Sequence, residues 1–300
     1  MNEQAAPGRD SIPYDSADKI TEEVLARYAL TEDPRLREIV MAVIRHLHSF
    51  AREVNLTWSE WEFAMEYLYK AGTFCKGPRN EFIALSDTLG LTMLMVAATQ
   101  PKPEGATLPT LIGPFYVPNP PEYAFGTDIS NGAQGTPVHV SGRILRLDGQ
   151  PVADAAIDVW HSDDRGLYDV LDDFEENGPW GRARLRSDEE GRYAFWSIMP
   201  TAYPAPTDGA LGDLFMNTTH RYWRPAHLHF SIVAPGCDPL VTHLFASDSD
   251  YLDQDVAFGV RPGLVVDFAH CPAGEAADGR VVEVPYRALT YDFVLTSSGG

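Results

Sequence analysis

The chain has 300 residues, 44% hydrophobic and 11% aromatic, enough to bury a large core and too apolar for a disordered protein. Its 43 acidic and 23 basic side chains give a formal net charge of −20, which disfavours nucleic acid and anionic membrane surfaces as partners because both are polyanions. Cys75, Cys237 and Cys271 are odd in number and form no C-x-x-C pair, which excludes a disulfide framework and a thiolate zinc site. No basic stretch precedes an apolar core at the N-terminus, and the nearly apolar run 89–98 is too short to span a bilayer. A soluble cytoplasmic protein is expected.

Residues 1–15, polar and holding Pro7 and Pro13, read as a loose arm. Thr21 can cap a short helix that runs to Tyr28. Asp33 followed by Pro34 is an N-cap with proline at the first helical position. Beyond it Leu36, Ile39, Val40, Val43, Ile44, Leu47 and Phe50 recur at three- and four-residue steps, the period of an amphipathic helix. His46 and His48 lie two apart on that helix, face different directions, and read as surface or core side chains rather than ligands. Thr57-Trp58-Ser59-Glu60 is a capping box opening a helix that Gly72 can close. A further helix is predicted over about residues 81–99, apolar on most sides and therefore deeply buried, until the proline-rich stretch 100–105 breaks it.

From Thr107 onward the pattern changes to short alternating strands punctuated by Gly, Pro, Asn and Asp. Residues 147–151 (Leu-Asp-Gly-Gln-Pro) predict a hairpin turn between strands near 138–145 and 156–160. Residues 188–191 turn into a strand over 192–196, and further strands are expected around His227, over 241–246, 281–286 and 291–295. About seven strands at this spacing imply a β-sandwich. The expected fold class is α+β: a helical N-terminal domain, residues 1–105, followed by an antiparallel β-sandwich, residues 106–300, that carries the metal.

The metal signal is Arg224-Pro225-Ala226-His227-Leu228-His229-Phe230. On a strand His227 and His229 point to one face and Leu228 and Phe230 to the other. Two imidazoles at i and i+2 stand roughly 6–7 Å apart at their bases, close enough to bind one ion, although the pair alone does not name the metal. Further ligands must come from His161, Tyr168, Tyr203, His220, His243 or the aspartates, and spacing alone does not choose among them.

Four motifs in order, Val159-Trp160-His161, Gly166-Leu167-Tyr168-Asp169, Pro200-Thr201-Ala202-Tyr203-Pro204 and Arg224-Pro225-Ala226-His227-Leu228-His229, resemble the intradiol ring-cleaving dioxygenases. Leu111-Ile112-Gly113-Pro114-Phe115-Tyr116 is similar to the loop with which that family enters its β domain, and Leu85-Ser86-Asp87-Thr88-Leu89-Gly90 extends the likeness into the helical part. The resemblance implies one ferric ion per subunit, held by Tyr168, Tyr203, His227 and His229. Hard anionic phenolates and imidazoles suit Fe(III), and two tyrosinates plus a hydroxide would cancel its charge. Tyr203 would be the ligand that leaves and takes a substrate proton, and Arg224 the cation set against the substrate ring.

Within the family the Tyr168 and Tyr203 loops and Thr242-His243 look most like the branch that cleaves hydroxyquinol (benzene-1,2,4-triol) with O2 to 3-hydroxy-cis,cis-muconate, the enol form of maleylacetate. His243 stands where catechol-cleaving members commonly carry glutamine, which implies a supporting contact to substrate. The expected substrate pocket comprises Ala84, Asp87, Ile112, Gly113, Pro114, Phe115, Tyr116, Arg224 and His243, with Asp87 the polar partner of the third hydroxyl. The resemblance also implies a homodimer through the helical domain, with a phospholipid held between subunits in some members. A catechol or chlorocatechol 1,2-dioxygenase is the alternative enzyme, and a zinc-stabilised β-sandwich binding module the alternative outside enzymes.

Overall fold

The computed structural model describes residues 16–76, 79–171 and 178–298, so the arm expected at residues 1–15 lies outside the described residues. The chain divides into two compact units, Met1–Leu68 and Tyr69–Gly300. The division falls inside a helix, upstream of the change of pattern near residue 105.

In the first unit α1 (Ala17–Tyr28) begins earlier than expected. Its cap is Ser16, whose hydroxyl accepts the Lys19 N–H, while Thr21 lies within the helix and pairs with Nδ1 of His48. Helix α2 (Pro34–Glu53) starts where the sequence places it, with the Asp33 carboxylate accepting the Leu36 N–H at 2.7 Å. Its apolar stripe is not covered: Leu36, Ile39, Val43, Leu47 and Phe50 are each between 45% and 60% exposed. Helix α3 (Trp58–Thr73) opens with the expected capping box, Thr57 N–H to Glu60 Oε2 and Glu60 N–H to Thr57 Oγ1.

The helix predicted over 81–99 is two helices, α4 (Glu81–Thr88) and α5 (Leu91–Thr99), bent by 72° at a break. Gly90 makes the break, with φ of 74° in the left-handed region that glycine enters without steric cost. The expected deep burial fails as well. Leu89, Leu91, Leu94 and Met95 are exposed, because a nine-residue helix that is apolar all round can turn only one side, Met93 and Val96, onto Leu111 and Ala257. Among the described residues no single helix is long and apolar enough to cross a membrane.

The remainder forms β1 (Pro137–Arg146), β2 (Ala156–His161), β3 (Arg182–Arg186), β4 (Arg192–Ile198) and β5 (Tyr203–Pro204). Helix α6 (Ala210–Asn217) leads to β6 (Trp223–Arg224), β7 (His227–Val233) and β8 (Leu240–Ala246). Short strands follow: β9 (Val265–Val266), β10 (Ala269–Cys271), β11 (Gly274–Glu275), β12 (Val281–Val282), β13 (Tyr286–Thr290) and β14 (Phe293–Leu295). One five-stranded sheet is built on β1, and the other has the order β3-β2-β7-β8-β9. Their inner faces interleave Val138, Val140 and Phe195 with Ile157, Val159, Leu228, Phe230 and Leu244, all fully buried. This is the sandwich the strand spacing implies.

Two details differ from the sequence reading. The sheets are mixed: β1 runs parallel to β13 and β14 and antiparallel to β4, and β8 runs parallel to β9. The turns at 147–151 and 188–191 form, but neither joins hydrogen-bonded neighbours. Arg146 N–H still bonds the Gln150 carbonyl, yet β1 pairs with β4 and β2 with β3 and β7, so both turns carry the chain across the sandwich. Turn chemistry fixes a reversal, not the partner.

His161 at the end of β2 ties the sheets together. Its Nδ1–H donates to the Ser162 carbonyl, and Nε2 accepts the hydroxyl of Ser197 on β4, each at 2.7 Å. Burial holds its pKa down to about 4. The unfolded chain, with an ordinary histidine near 6.5, binds a proton that the fold refuses between those values. Stability from this site is therefore full above about pH 6.5 and is lost as pH falls toward 4. In metal-free protein the urea midpoint should fall across that window more steeply than in His161→Gln; parallel curves would contradict the assignment.

Candidate metal centre

Strand β7 lies between β2 and β8, so every residue from His227 to Ile232 is held in register by at least one flanking strand. Leu228, Phe230 and Ile232 face the core at 0% exposure, which commits His227 and His229 to the opposite face. There His229 is flanked by Trp160 on β2 and His243 on β8, its Cα partners. The Trp160 indole stacks on the His229 ring at 4.7 Å and 15°. Gly113, at φ 75°, brings its backbone onto the ring: a Cβ there would lie 3.1 Å from His229 Cε1.

Two loops bring the phenols. Tyr168 follows a tight turn in which Asp163 accepts the Leu167 N–H through its carboxylate, and a 3-10 turn (Asp169–Leu171) follows it. Arg182 on β3 grips Asp169 through two bonds, at 2.6 and 2.9 Å, and also donates to the Phe115 carbonyl. Tyr203 sits on β5 directly across from Arg224 on β6. Gly166, at φ 80°, backs Tyr203 so closely that a Cβ would stand 2.6 Å from the tyrosine Cβ.

Four donor atoms converge. Tyr168 Oη is 2.9 Å from His229 Nε2, 3.4 Å from His227 Nε2 and 3.3 Å from Tyr203 Oη, and the two Nε2 atoms are 3.0 Å apart. His227 Nδ1–H donates to the Pro225 carbonyl, which leaves Nε2 as a lone pair. His229 Nδ1 is buried with no protein partner, so whichever of its nitrogens carries the proton, the protein alone does not satisfy the ring. Burial is the main cause that pushes the His227 pKa down to about 3, with Arg224 adding to it, and burial drives His229 well below the ordinary value, with His243 and His227 contributing. Both imidazoles are thus neutral and available to a cation. Burial, then Tyr203, raises the Tyr168 phenol well above 10, so a phenolate there requires positive charge beside it. Two phenol oxygens and two neutral imidazole nitrogens fit a hard, highly charged metal ion.

A second set overlaps this one: His227, His229 and His243 offer nitrogens within 4.8 Å of one another. His243 is fully buried, with Nδ1 against the Thr110 hydroxyl and Nε2 without a protein partner.

Beside the phenols is a cavity of about 70 Å³ whose walls include Ala84, Asp87, Pro114, Phe115, Tyr203 and Arg224. Ala84 and Asp87 share a face of α4, as their spacing predicts. Four residues expected in the pocket are not among its walls. Ile112 is exposed, and Gly113 abuts His229. His243 lies against the His229 ring, 4.1 Å between centroids. Tyr116 turns its hydroxyl to Asp158, at 2.9 Å; burial, and then that bond, raises its pKa. Sequence reasoning missed Leu111, Leu211, Val256 and Ala257 as walls, and Asp255, which pairs with Arg224 through Nε at 3.0 Å. The candidate histidines His161 and His220 stand apart from the cluster, the first in its bonds to Ser162 and Ser197 and the second exposed.

The family model described as Dioxygenase matches residues 111–297, and that described as Catechol dioxygenase N terminus matches residues 33–107. The chain is 47% identical to the 6-chlorohydroxyquinol 1,2-dioxygenase of Cupriavidus pinatubonensis, over 92% of this chain and 96% of that one. It is 43% identical to the hydroxyquinol 1,2-dioxygenase of Nocardioides simplex, over 92% and 94%. Among solved structures, the hydroxyquinol 1,2-dioxygenase of Pseudomonas putida superposes with a TM-score of 0.85 at 39% identity, covering 94% of this chain and 99% of that one.

Gly166→Ala should force Tyr203 out of place, both through the methyl contact and through the left-handed backbone. Affinity for ferric iron, measured by competition with a chelator, should fall about tenfold. Unchanged affinity would show that Tyr203 is not part of the metal mount.

Proposed function

This chain belongs to the intradiol ring-cleaving dioxygenases, and we propose that within them it opens hydroxyquinol with O2 to 3-hydroxy-cis,cis-muconate, the enol form of maleylacetate. The observation that carries the reading is the convergence of Tyr168, Tyr203, His227 and His229 beside a cavity that presents both Arg224 and Asp87. Those four side chains would hold one ferric ion per subunit. A bound ferric ion would withdraw electron density from the ring oxygens of the substrate, which would make the ring reactive toward O2.

The remaining work belongs to the protein. Tyr203, whose side chain faces the cavity, would as its phenolate accept the proton of a ring hydroxyl at Oη and become the neutral phenol. Arg224, fully charged and fixed, balances the negative charge that develops on the ring oxygens. Leu111, Pro114, Phe115 and Val256 keep bulk water from the ring.

Asp87 supports the triol over a diol. Its Oδ1 is buried without a protein partner at the cavity wall, and burial raises its pKa, so the third hydroxyl meets a carboxyl that needs a bond. Ala84, small at the same wall, leaves room for a ring substituent such as the chlorine of the C. pinatubonensis relative's substrate. Catechol and chlorocatechol cleavage is the alternative with the same four ligands, and a zinc-stabilised module would be colourless.

The uncovered stripe of α2 supports a homodimer through the N-terminal helical domain, residues 1–105, with a phospholipid as a further occupant of that apolar face. The three unpaired cysteines suit a cytoplasmic setting.

In oxygen-uptake assays hydroxyquinol should turn over faster than catechol, and Asp87→Ala should narrow the ratio about tenfold or more. Faster turnover of catechol by the unaltered enzyme would overturn the substrate assignment. On size-exclusion chromatography the protein should elute at twice the chain mass and Val43→Glu at the chain mass; a monomeric parent would refute the dimer.

A further inference from the structure

Arg224 has five N–H donors on a rigid plane, and its usefulness to a substrate depends on where that plane is held. The side chain is buried among neutral imidazoles and phenols, where an uncompensated cation is costly. One group compensates it. The Asp255 carboxylate accepts Arg224 Nε at 3.0 Å and lies 3.4 Å from NH2, with side-chain exposures of 7% for the arginine and 2% for the aspartate. The pairing uses the Nε–NH2 edge of the guanidinium, and NH1 is left on the metal side, 3.2 Å from His227 Nε2.

Asp255 is itself anchored. Its two oxygens accept the backbone N–H groups of Ala257, at 3.3 Å, and Gly259, at 2.8 Å. The chain from Asp255 to Gly259 supplies two cavity walls, Val256 and Ala257. A single carboxylate therefore sets both the plane of the guanidinium and the loop that closes the cavity over it. Gly259 completes the fit, since a Cβ there would come within 3.1 Å of Asp255 Oδ2 and 3.3 Å of Arg224 NH2.

We propose that Asp255 is a positioning residue that aims Arg224 at the bound substrate. It touches neither substrate nor metal, and it acts through the guanidinium. The inference rests on the reading of this cavity as the substrate site. A merely structural role would make Asp255 a loop staple whose loss harms the enzyme whether or not Arg224 is present.

A double-mutant cycle on the iron-loaded enzyme with hydroxyquinol separates the two. Asp255→Asn should lower kcat by about 100-fold with a smaller change in KM, while the visible tyrosinate absorption of the substrate-free enzyme stays in place. In an Arg224→Gln background the same change should cost no more than a few-fold, because the group it aims is gone and only its bonds to the loop remain to be lost. Gly259→Ala, which presses on the pair and at 3.2 Å on Leu111 without altering charge, should slow kcat several-fold alone and distinctly less beside Arg224→Gln. It carries the test if Asp255→Asn does not fold. Losses that multiply in the double variants would overturn the proposal. A parent enzyme that binds iron yet leaves hydroxyquinol untouched would instead overturn the substrate reading, and this inference with it.

Discussion

The centre of this protein depends on the register of one strand. Leu228, Phe230 and Ile232 of β7 are fully buried between the sheets, and their burial contributes about 1.5–3 kcal/mol each. A slip of one residue would send those side chains to the polar face and both imidazoles into the core. β2 and β8 on either side make the slip costlier still, because it would also misplace Trp160 and His243 against His229. Apolar packing on one face is thus what holds a demanding polar cluster on the other.

Around that strand the two phenol loops are held by different devices with the same effect. The Tyr168 loop is tied down by the Asp169–Arg182 pair, buried at both ends, whose arginine also holds the Phe115 carbonyl. The Tyr203 ribbon is fixed by pairing with β6, by contact with Gly166 and by the prolines at 200 and 204. Arg224, opposite Tyr203, is fixed by Asp255. Buried ion pairs of this kind add little net stability, but removing one partner strands a charge. Their value is geometric: they set the two phenols and the cavity walls relative to one another.

The sequence makes some of this legible and hides the rest for physical reasons. Alternation in β7 is local, so the face shared by His227 and His229 is readable from five residues. The caps at Asp33 and Thr57 are local too, and both form. Pairing between strands is not local: the turns at 147–151 and 188–191 are correctly placed, but the sequence carries no mark of the crossing from one sheet to the other. In the sequence Gly90 sits inside an apolar helical pattern, and only its left-handed conformation shows it as a break. The two phenols are legible only through resemblance, since 13 tyrosines give spacing no means of choosing two. Asp255 had no signal at all. It lies 31 residues from Arg224, one of many aspartates in an acidic chain, and only the fold brings the two together.

Two phenol oxygens and two imidazole nitrogens are proposed to share one ion. The most direct measurement is an anomalous difference map at the iron edge, from crystals of the protein grown with ferric iron. One peak per chain is expected, within bonding distance of Tyr168, Tyr203, His227 and His229, with His243 outside that distance. A peak held by His227, His229 and His243 with the tyrosines turned away, or no peak in material that remains active, would contradict it.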